Sequence, residues 1–163
     1  MQRISKENYY LDIAQTVLER ATCLRRVYGA IIVKNDEIIS TGYNGAPRGR
    51  RNCVDMGYCT REQLRVPRGE RYELCRSVHA EANAIISAAR RDMIGGTLYL
   101  VGRDAATGAL LHDTTSCAMC RRMIINSGIT RVVNRIGDDG IEIIDVQNWI
   151  VNDESIQPKA AAE

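Results

Sequence analysis

Two short stretches hold residue types that could do chemistry together: His79-Ala80-Glu81 and, 36 residues after that glutamate, Cys117-Ala118-Met119-Cys120. One imidazole and two thiols make three metal ligands, and zinc takes nitrogen and sulfur donors in a tetrahedron. Three protein ligands leave the fourth corner for water, the arrangement of a catalytic rather than a structural site. Glu81 then stands beside that corner as a free carboxylate. A zinc ion brings the pKa of such a water to about 7, and a neighbouring carboxylate can take its proton. Returned to a ring nitrogen of an amidine-like base, that proton allows water's oxygen to add to the adjacent carbon and ammonia to leave. The expected chemistry is hydrolytic deamination. A C-x-x-C pair alone could equally be a redox pair or half of a structural zinc site, and a lone histidine at a helix start is commonly a core or capping residue. The combination, in this order, favours the catalytic metal. His112 follows an apolar pair, has no partner pattern and reads as structural or exposed.

The elements around these residues must bring them together. From Ser5 to about Leu24 the apolar residues Tyr10, Ile13, Ala14, Val17, Leu18 and Ala21 recur at helical spacing, with Ser5 as N-cap and Glu7 in the first turn. Residues 29–34 and 37–42 read as antiparallel strands joined by a two-residue turn at Asn35-Asp36. The stretch Tyr43 to Gly49, with two glycines and a proline, leaves regular structure. Residues 48–76 hold eight arginines against four acids, together with Cys53, Cys59 and Cys75, and read as an insertion. A helix is expected from Val78 through Ala89, ending near Gly95-Gly96, with His79 and Glu81 in its first turn. Strands follow at 97–101 and 130–134, with a helix over 116–126 between them and Gly128 just past its end. Ser116 can cap that helix, whose positive N-terminus favours thiolates at Cys117 and Cys120. Asp138-Asp139-Gly140 is a turn, 141–145 a last strand, and 146–152 a short helix containing the only tryptophan. The alternation of strands and helices implies a sheet covered by helices, the later strands parallel. No repeat or linker divides residues 1–163, so one domain is expected, with a frayed tail at 157–163.

Composition narrows the function classes. At 163 residues the chain can bury a full core, and 45% hydrophobic with 26% charged residues is ordinary for a soluble protein. A net charge of +2 gives no global argument for nucleic acid or membrane, so anion recognition must be local. The first residues lack the apolar core of a signal peptide, and no apolar run approaches a membrane span. A cytoplasmic protein is expected, whose six cysteines serve as thiols or metal ligands rather than disulfides.

H-x-E followed by C-x-x-C is the pattern of zinc-dependent nucleobase deaminases. With Asn83 and Ala84 after Glu81, with Gly42-Tyr43-Asn44-Gly45-x-Pro47-x-Gly49, and with Arg25-Arg26 just before Gly29-Ala30, the chain resembles the deoxycytidylate (dCMP) deaminase branch of the cytidine deaminase superfamily. The resemblance implies a cytidine deaminase-like α/β fold, a three-layer α/β/α arrangement on a central mixed five-stranded sheet. It implies that His79, Cys117 and Cys120 hold zinc, that Glu81 shuttles protons, that backbone at Ala80 helps seat a pyrimidine, and that Asn44 contacts the nucleoside. Arg25 and Arg26 would grip the phosphate of dCMP, although two arginines near a helix end also suit a solvated helix terminus. In regulated members the loop matching Gly45, Arg48 and Arg50 receives a nucleoside triphosphate, dCTP as activator and dTTP as inhibitor, and such members form hexamers or dimers. Some relatives carry a second, structural zinc with cysteines at the positions of Cys23 and Cys53. Cys23, Cys53, Cys59 and Cys75 are four, enough for a closed all-cysteine site, the alternative being four buried thiols. Two positions depart from the branch: Ser116 stands where proline is usual, and Tyr28 where a small aliphatic residue is common. The competing functions are a base deaminase acting on tRNA or other nucleic acid, which needs a broad basic face, and a catalytically silent zinc domain used in assembly.

Overall fold

The structure, a computed structural model, describes residues 1–153; the tail expected to fray at 157–163 lies outside them. Helix α1 (Lys6–Leu18) is capped by the Ser5 hydroxyl, which accepts from the Asn8 amide N–H. It stops six residues short of the expected Leu24. The Arg20 and Ala21 N–H groups turn to Val17 and Leu18, and Thr22 donates to the Asn44 carbonyl, so the chain is diverted toward the sheet before another helical turn can form. Strand β1 (Arg26–Lys34) therefore begins earlier than expected, with Arg26 at its first position rather than on a helix end. Asn35 and Asp36 both have positive φ, as a tight hairpin turn requires, and β2 (Glu37–Tyr43) pairs back antiparallel.

The 48–76 segment is not devoid of regular structure. It forms two single-turn helices, α2 (Cys53–Met56) and α3 (Thr60–Gln63), and a 3-10 turn at Tyr72–Leu74. The helix expected from Val78 to Ala89 is broken into α4 (Ala80–Ile86) and α5 (Arg90–Met93). Ser87 turns its hydroxyl back onto the Asn83 carbonyl where the helix ends, a local competition with helix continuation that serine permits. Strand β3 (Thr97–Asp104), helix α6 (Ala118–Ser127), strands β4 (Arg131–Ile136) and β5 (Gly140–Asp145), and helix α7 (Val146–Val151) complete the order. Gly128 ends α6 in the left-handed region, as its position just past the helix predicts.

The sheet order is β2-β1-β3-β4-β5. Strands β3 and β4 are parallel, as expected of a strand–helix–strand unit, but β5 runs antiparallel to β4. Only residues 137–139 lie between β4 and β5, too short a connection for a parallel crossover. The central strands β1, β3 and β4 are buried on both faces, their alternate side chains entering the two cores, while the edge strands β2 and β5 are largely exposed. Val27, Ile31, Val33, Tyr99, Val101 and Val133 pack under Tyr10, Leu11, Ala14 and Leu18 of α1. Ala30, Ile32, Leu98, Leu100 and Val132 pack under Ala80, Ala84, Met93, Ile124 and Val146 from the helices of the other side. Three layers result. No helix among the described residues is long and apolar enough to cross a membrane.

Two glycines set how closely the helices approach. A Cβ at Gly29 would lie 2.1 Å from the Ala14 carbonyl oxygen of α1. One at Gly42 would lie 2.4 Å from both the Ala80 carbonyl oxygen and the Ala84 nitrogen of α4. Helix α4 is further held on β2 by Ser40 Oγ donating to the Ala84 carbonyl (2.7 Å) and Asn83 Nδ2 donating to the Tyr43 carbonyl (2.8 Å).

Candidate active site

His79 and Cys117 are the N-cap residues of α4 and α6, so the two helix N-termini converge. The His79 Nδ1 atom lies 3.5 Å from Cys117 Sγ and 3.4 Å from Cys120 Sγ. A tetrahedral zinc with Zn–S of about 2.3 Å and Zn–N of about 2.0–2.1 Å requires a nitrogen–sulfur edge of about 3.6 Å. The donor triangle fits. Among the described residues, it is the one group of three ligand types whose donor atoms all lie within 4.8 Å of one another. The Cys117 sulfur accepts from the Cys120 N–H, so the C-x-x-C spacing itself caps the helix. Ser116, expected to cap, is buried just outside the turn, where its hydroxyl interacts with Glu81 rather than capping the helix.

The protonation of the triangle agrees with a cation site. Cys117 is lowered to about 4, chiefly because the Cys120 side chain hydrogen-bonds its thiolate, with His79 adding to this against the effect of burial. Cys120 is correspondingly raised by the Cys117 thiolate and by burial. Burial would lower His79, but hydrogen bonding to Cys117 and then to Cys75 raises it to about 10. An imidazolium beside a thiolate would release its proton to solvent on binding a metal that takes both groups as ligands.

Glu81, 5% exposed, lies one helical residue beyond Ala80 and lines the same cavity as His79 and Cys117. Burial raises its pKa, opposed by a backbone hydrogen bond, the His79 charge and the Ser116 hydroxyl. The cavity holds about 470 Å³, within the range of small-molecule sites. Asn44, Arg25, Arg26, Cys23, Cys59 and Cys75 line it as well.

The expected residues are not all placed as simply. Asn44 reaches the cavity, but its side chain extends the sheet: Oδ1 accepts from the Tyr28 N–H (2.8 Å) and Nδ2 donates to the Arg26 carbonyl (2.9 Å). Arg25 is paired with Glu62 at 2.9 Å, and Arg26 with Asp113 at 3.3 Å. Ala80 is buried at the first turn of α4. Gly45 exchanges backbone hydrogen bonds with Val78, tying its loop to the residue before His79. Arg48 and Arg50 are exposed and do not line the cavity. Tyr28 lines the cavity with its ring against Gly102, where a Cβ would lie 2.6 Å from the ring edge. Burial of Cys53 raises its pKa, and the charges of Cys23, Cys75 and Cys59 add to the rise, so the four spare cysteines are neighbours, though not at the spacing of the His79 triangle.

Three residues that sequence reasoning missed complete the picture. Tyr72 packs edge-on against the His79 ring at 4.9 Å and 86°. Arg61, only 6% exposed, lies over Tyr72 at 4.6 Å. Asp113 accepts from both Arg26 and Arg68. The first two sit in the insertion and the third in the loop before α6, where no periodicity marks them.

Residues 4–135 match the family model described as the cytidine and deoxycytidylate deaminase zinc-binding region. A deoxycytidylate deaminase of Mycobacterium phage D29 is 37% identical over 138 residues, covering 82% of this chain and 96% of that protein. The deoxycytidylate deaminase of Schizosaccharomyces pombe is 34% identical over 131 residues, covering 80% of this chain but 37% of its own length. This chain thus spans well under half of the yeast relative. A solved structure of dCMP deaminase from the cyanophage S-TIM5 in complex with dCMP and dUMP is 25% identical, with a TM-score of 0.55, covering 82% of this chain and 84% of that one. With its zinc-ligand triangle, its adjoining carboxylate and a family match over most of its length, the chain belongs to the cytidine and deoxycytidylate deaminase zinc-binding family.

Proposed function

We propose that this chain catalyses hydrolytic deamination of dCMP to dUMP. The observation that carries the reading is the meeting, in one cavity, of the Glu81 carboxylate beside the His79, Cys117 and Cys120 donors with the guanidinium groups of Arg25 and Arg26. Held by His79, Cys117 and Cys120, zinc supplies the Lewis acidity that makes water nucleophilic near neutral pH. Glu81 accepts the proton of that water and delivers it to the ring nitrogen beside C4 of cytosine. Once the water's oxygen is bonded to C4, Glu81 takes its remaining proton and passes it to the amino group, which leaves as ammonia while the C4 carbonyl forms. One water is consumed and one ammonia released. Burial of Glu81 excludes bulk water that would compete for the proton. The backbone at Ala80 and the side chain of Asn44 are assigned to seating the pyrimidine nucleoside, and Arg25 and Arg26 to the 5′-phosphate.

The relatives support the monophosphate, since two are named for deoxycytidylate and the S-TIM5 structure holds dCMP and dUMP. Five of the eight arginines of the insertion are engaged by protein partners: Arg61 with the Pro67 and Glu70 carbonyls, Arg71 with Glu73, Arg51 with the Asp55 carbonyl, Arg76 with the Arg51 carbonyl and Arg68 with Asp113. Such use favours a small-molecule pocket over a broad basic face for nucleic acid. A silent zinc domain has no use for the buried, unliganded Glu81.

Six unpaired cysteines suit a reducing compartment, and we place the protein in the cytoplasm. We assign Cys23, Cys53, Cys59 and Cys75 to a second, structural zinc, supported by the charge interactions of Cys53 with the other three, which line the cavity. A homo-oligomer, hexameric or dimeric, is assigned on the family resemblance, with Gly45, Arg48 and Arg50 at a dCTP or dTTP site. One assay tests these points: ammonia release by zinc-loaded protein from dCMP, CMP, deoxycytidine, dCTP and a tRNA anticodon stem, with dCTP or dTTP then added to the dCMP reaction. Preference for dCMP is expected, and preference for the tRNA stem would contradict it. Hyperbolic kinetics that neither triphosphate moves would contradict the effector site.

A further inference from the structure

Three segments distant in sequence meet at the arginine-bearing end of the cavity. Arg26 of β1 donates through both terminal nitrogens to Asp113, at 3.3 Å to each carboxylate oxygen from Nη1 and 3.4 Å to Oδ2 from Nη2. Arg68 of the insertion donates to the same Oδ2 at 3.0 Å. Two guanidinium groups thus share one hydrogen-bonded carboxylate, with Asp104, also lining the cavity, acting on Arg26 through its charge alone. Arg25, beside them, already has its own acid in Glu62.

The arginines are held there by the rest of the site. The turn carrying Arg68 is fastened by buried Arg61, which donates to the Pro67 carbonyl at 3.2 Å and the Glu70 carbonyl at 2.6 Å. Arg61 in turn stacks on Tyr72, and Tyr72 packs against His79. The position of Arg68 is therefore referred, through three side-chain contacts, to a zinc ligand. Asp113 follows Leu111, whose N–H donates to the Gly102 carbonyl and whose carbonyl accepts from Gly137, so its loop is anchored to β3 and to the end of β4. The Asp113 side chain itself remains 59% exposed.

We infer that Arg26 and Arg68 form a two-guanidinium clamp for the 5′-phosphate of a mononucleotide, and that Asp113 is the resident anion the phosphate replaces. This rests on the monophosphate reading above. A phosphate monoester carries a charge of about −1.5 to −2 at neutral pH, against one for the carboxylate, and presents three acceptor oxygens to planar guanidinium donors. Two arginines match it better than they match Asp113. The displaced carboxylate, more than half exposed, returns to water with little loss, because exposed ion pairs contribute little. Nucleosides lacking the phosphate leave the Asp113 pairing intact and gain nothing from the clamp.

The test compares steady-state kinetics of the full, zinc-loaded chain on dCMP and deoxycytidine for wild type, Arg68→Ala, Arg68→Lys and Asp113→Asn, with circular dichroism to confirm folding. Arg68→Ala should reduce the preference for dCMP over deoxycytidine about tenfold or more, through KM for dCMP, with Arg68→Lys recovering part of it. Asp113→Asn should lower KM for dCMP. Equal effects of Arg68→Ala on the two substrates would overturn the clamp, and a raised KM for dCMP in Asp113→Asn would overturn the exchange. Should wild type release no ammonia from dCMP, the deaminase reading fails by itself. Calorimetry then decides the clamp: tighter binding of dCMP than deoxycytidine, lost in Arg68→Ala, supports it, and equal binding overturns it.

Discussion

Glu81 owes its place to its neighbours. It is the second residue of α4, two positions from the His79 imidazole, and almost removed from water, a placement that suits the proton transfer proposed for it. His79, Cys117 and Cys120 share this local logic, because each lies in or beside the first turn of a helix whose start its own sequence marks. The spare cysteines make a prediction at this same scale. If Cys23, Cys53, Cys59 and Cys75 close on a second ion, metal analysis of the purified chain should read two zinc per chain, falling to one in a Cys53→Ser, Cys59→Ser variant; one zinc in wild type would remove that site. The grouping of His79, Cys117 and Cys120 was legible because metal chemistry restricts residue type and spacing. Tyr72, Arg61 and Asp113 were not, because they lie in irregular segments where no periodicity fixes what a side chain touches. Asn44 is an intermediate case. Its motif located it at the cavity, but only the three-dimensional register showed its amide bound to the β1 backbone. Tyr28, an open question in the sequence, is accommodated by a partner no local pattern reveals, the glycine at position 102 of the neighbouring strand.

At the level of elements, the site depends on how closely α4 lies on the sheet. Gly42 permits that approach, and a methyl group there would meet backbone atoms of α4 that cannot swing aside. Gly42→Ala is expected to cost about 3 kcal/mol or more of stability, seen as a lowered denaturant midpoint, and to weaken zinc retention by displacing the helix that carries His79. A variant with unchanged midpoint and zinc content would contradict this account of α4. Element types were readable from periodicity and caps: Ser5, the Asn35-Asp36 turn and Gly128 each stand where their conformations require. Ends were less readable. The early stop of α1, the break between α4 and α5 and the extension of β3 to Asp104 come from tertiary hydrogen bonds and strand pairing that outweigh local propensity. The antiparallel course of β5 was open to inference from the short connection after β4, which the alternation of strands and helices obscured.

Across the whole molecule, one sheet buried on both faces supplies a rigid floor, and the two helices packed on one side bring their N-termini to the same point. The irregular segments then build the walls: the insertion contributes Tyr72, Arg61 and Arg68, and the loop before α6 contributes Thr115 and, behind the arginines, their partner Asp113. The candidate metal donors lie at helix starts of the regular frame, and the arginines of the cavity lie at β1 and in these loops. This division explains why the zinc chemistry could be read from spacing while the shape of the pocket could not. A net charge of +2 is consistent with anion recognition by a few placed guanidinium groups rather than by a charged surface. The central claim is that Glu81 transfers the protons of a hydrolytic deamination while His79, Cys117 and Cys120 hold the metal. The most direct test is ammonia release from dCMP by Glu81→Gln, with zinc content measured on the same preparation. Retained catalytic zinc with turnover reduced by about a hundredfold or more is the predicted result; turnover near wild type in a protein that keeps its zinc would contradict the account.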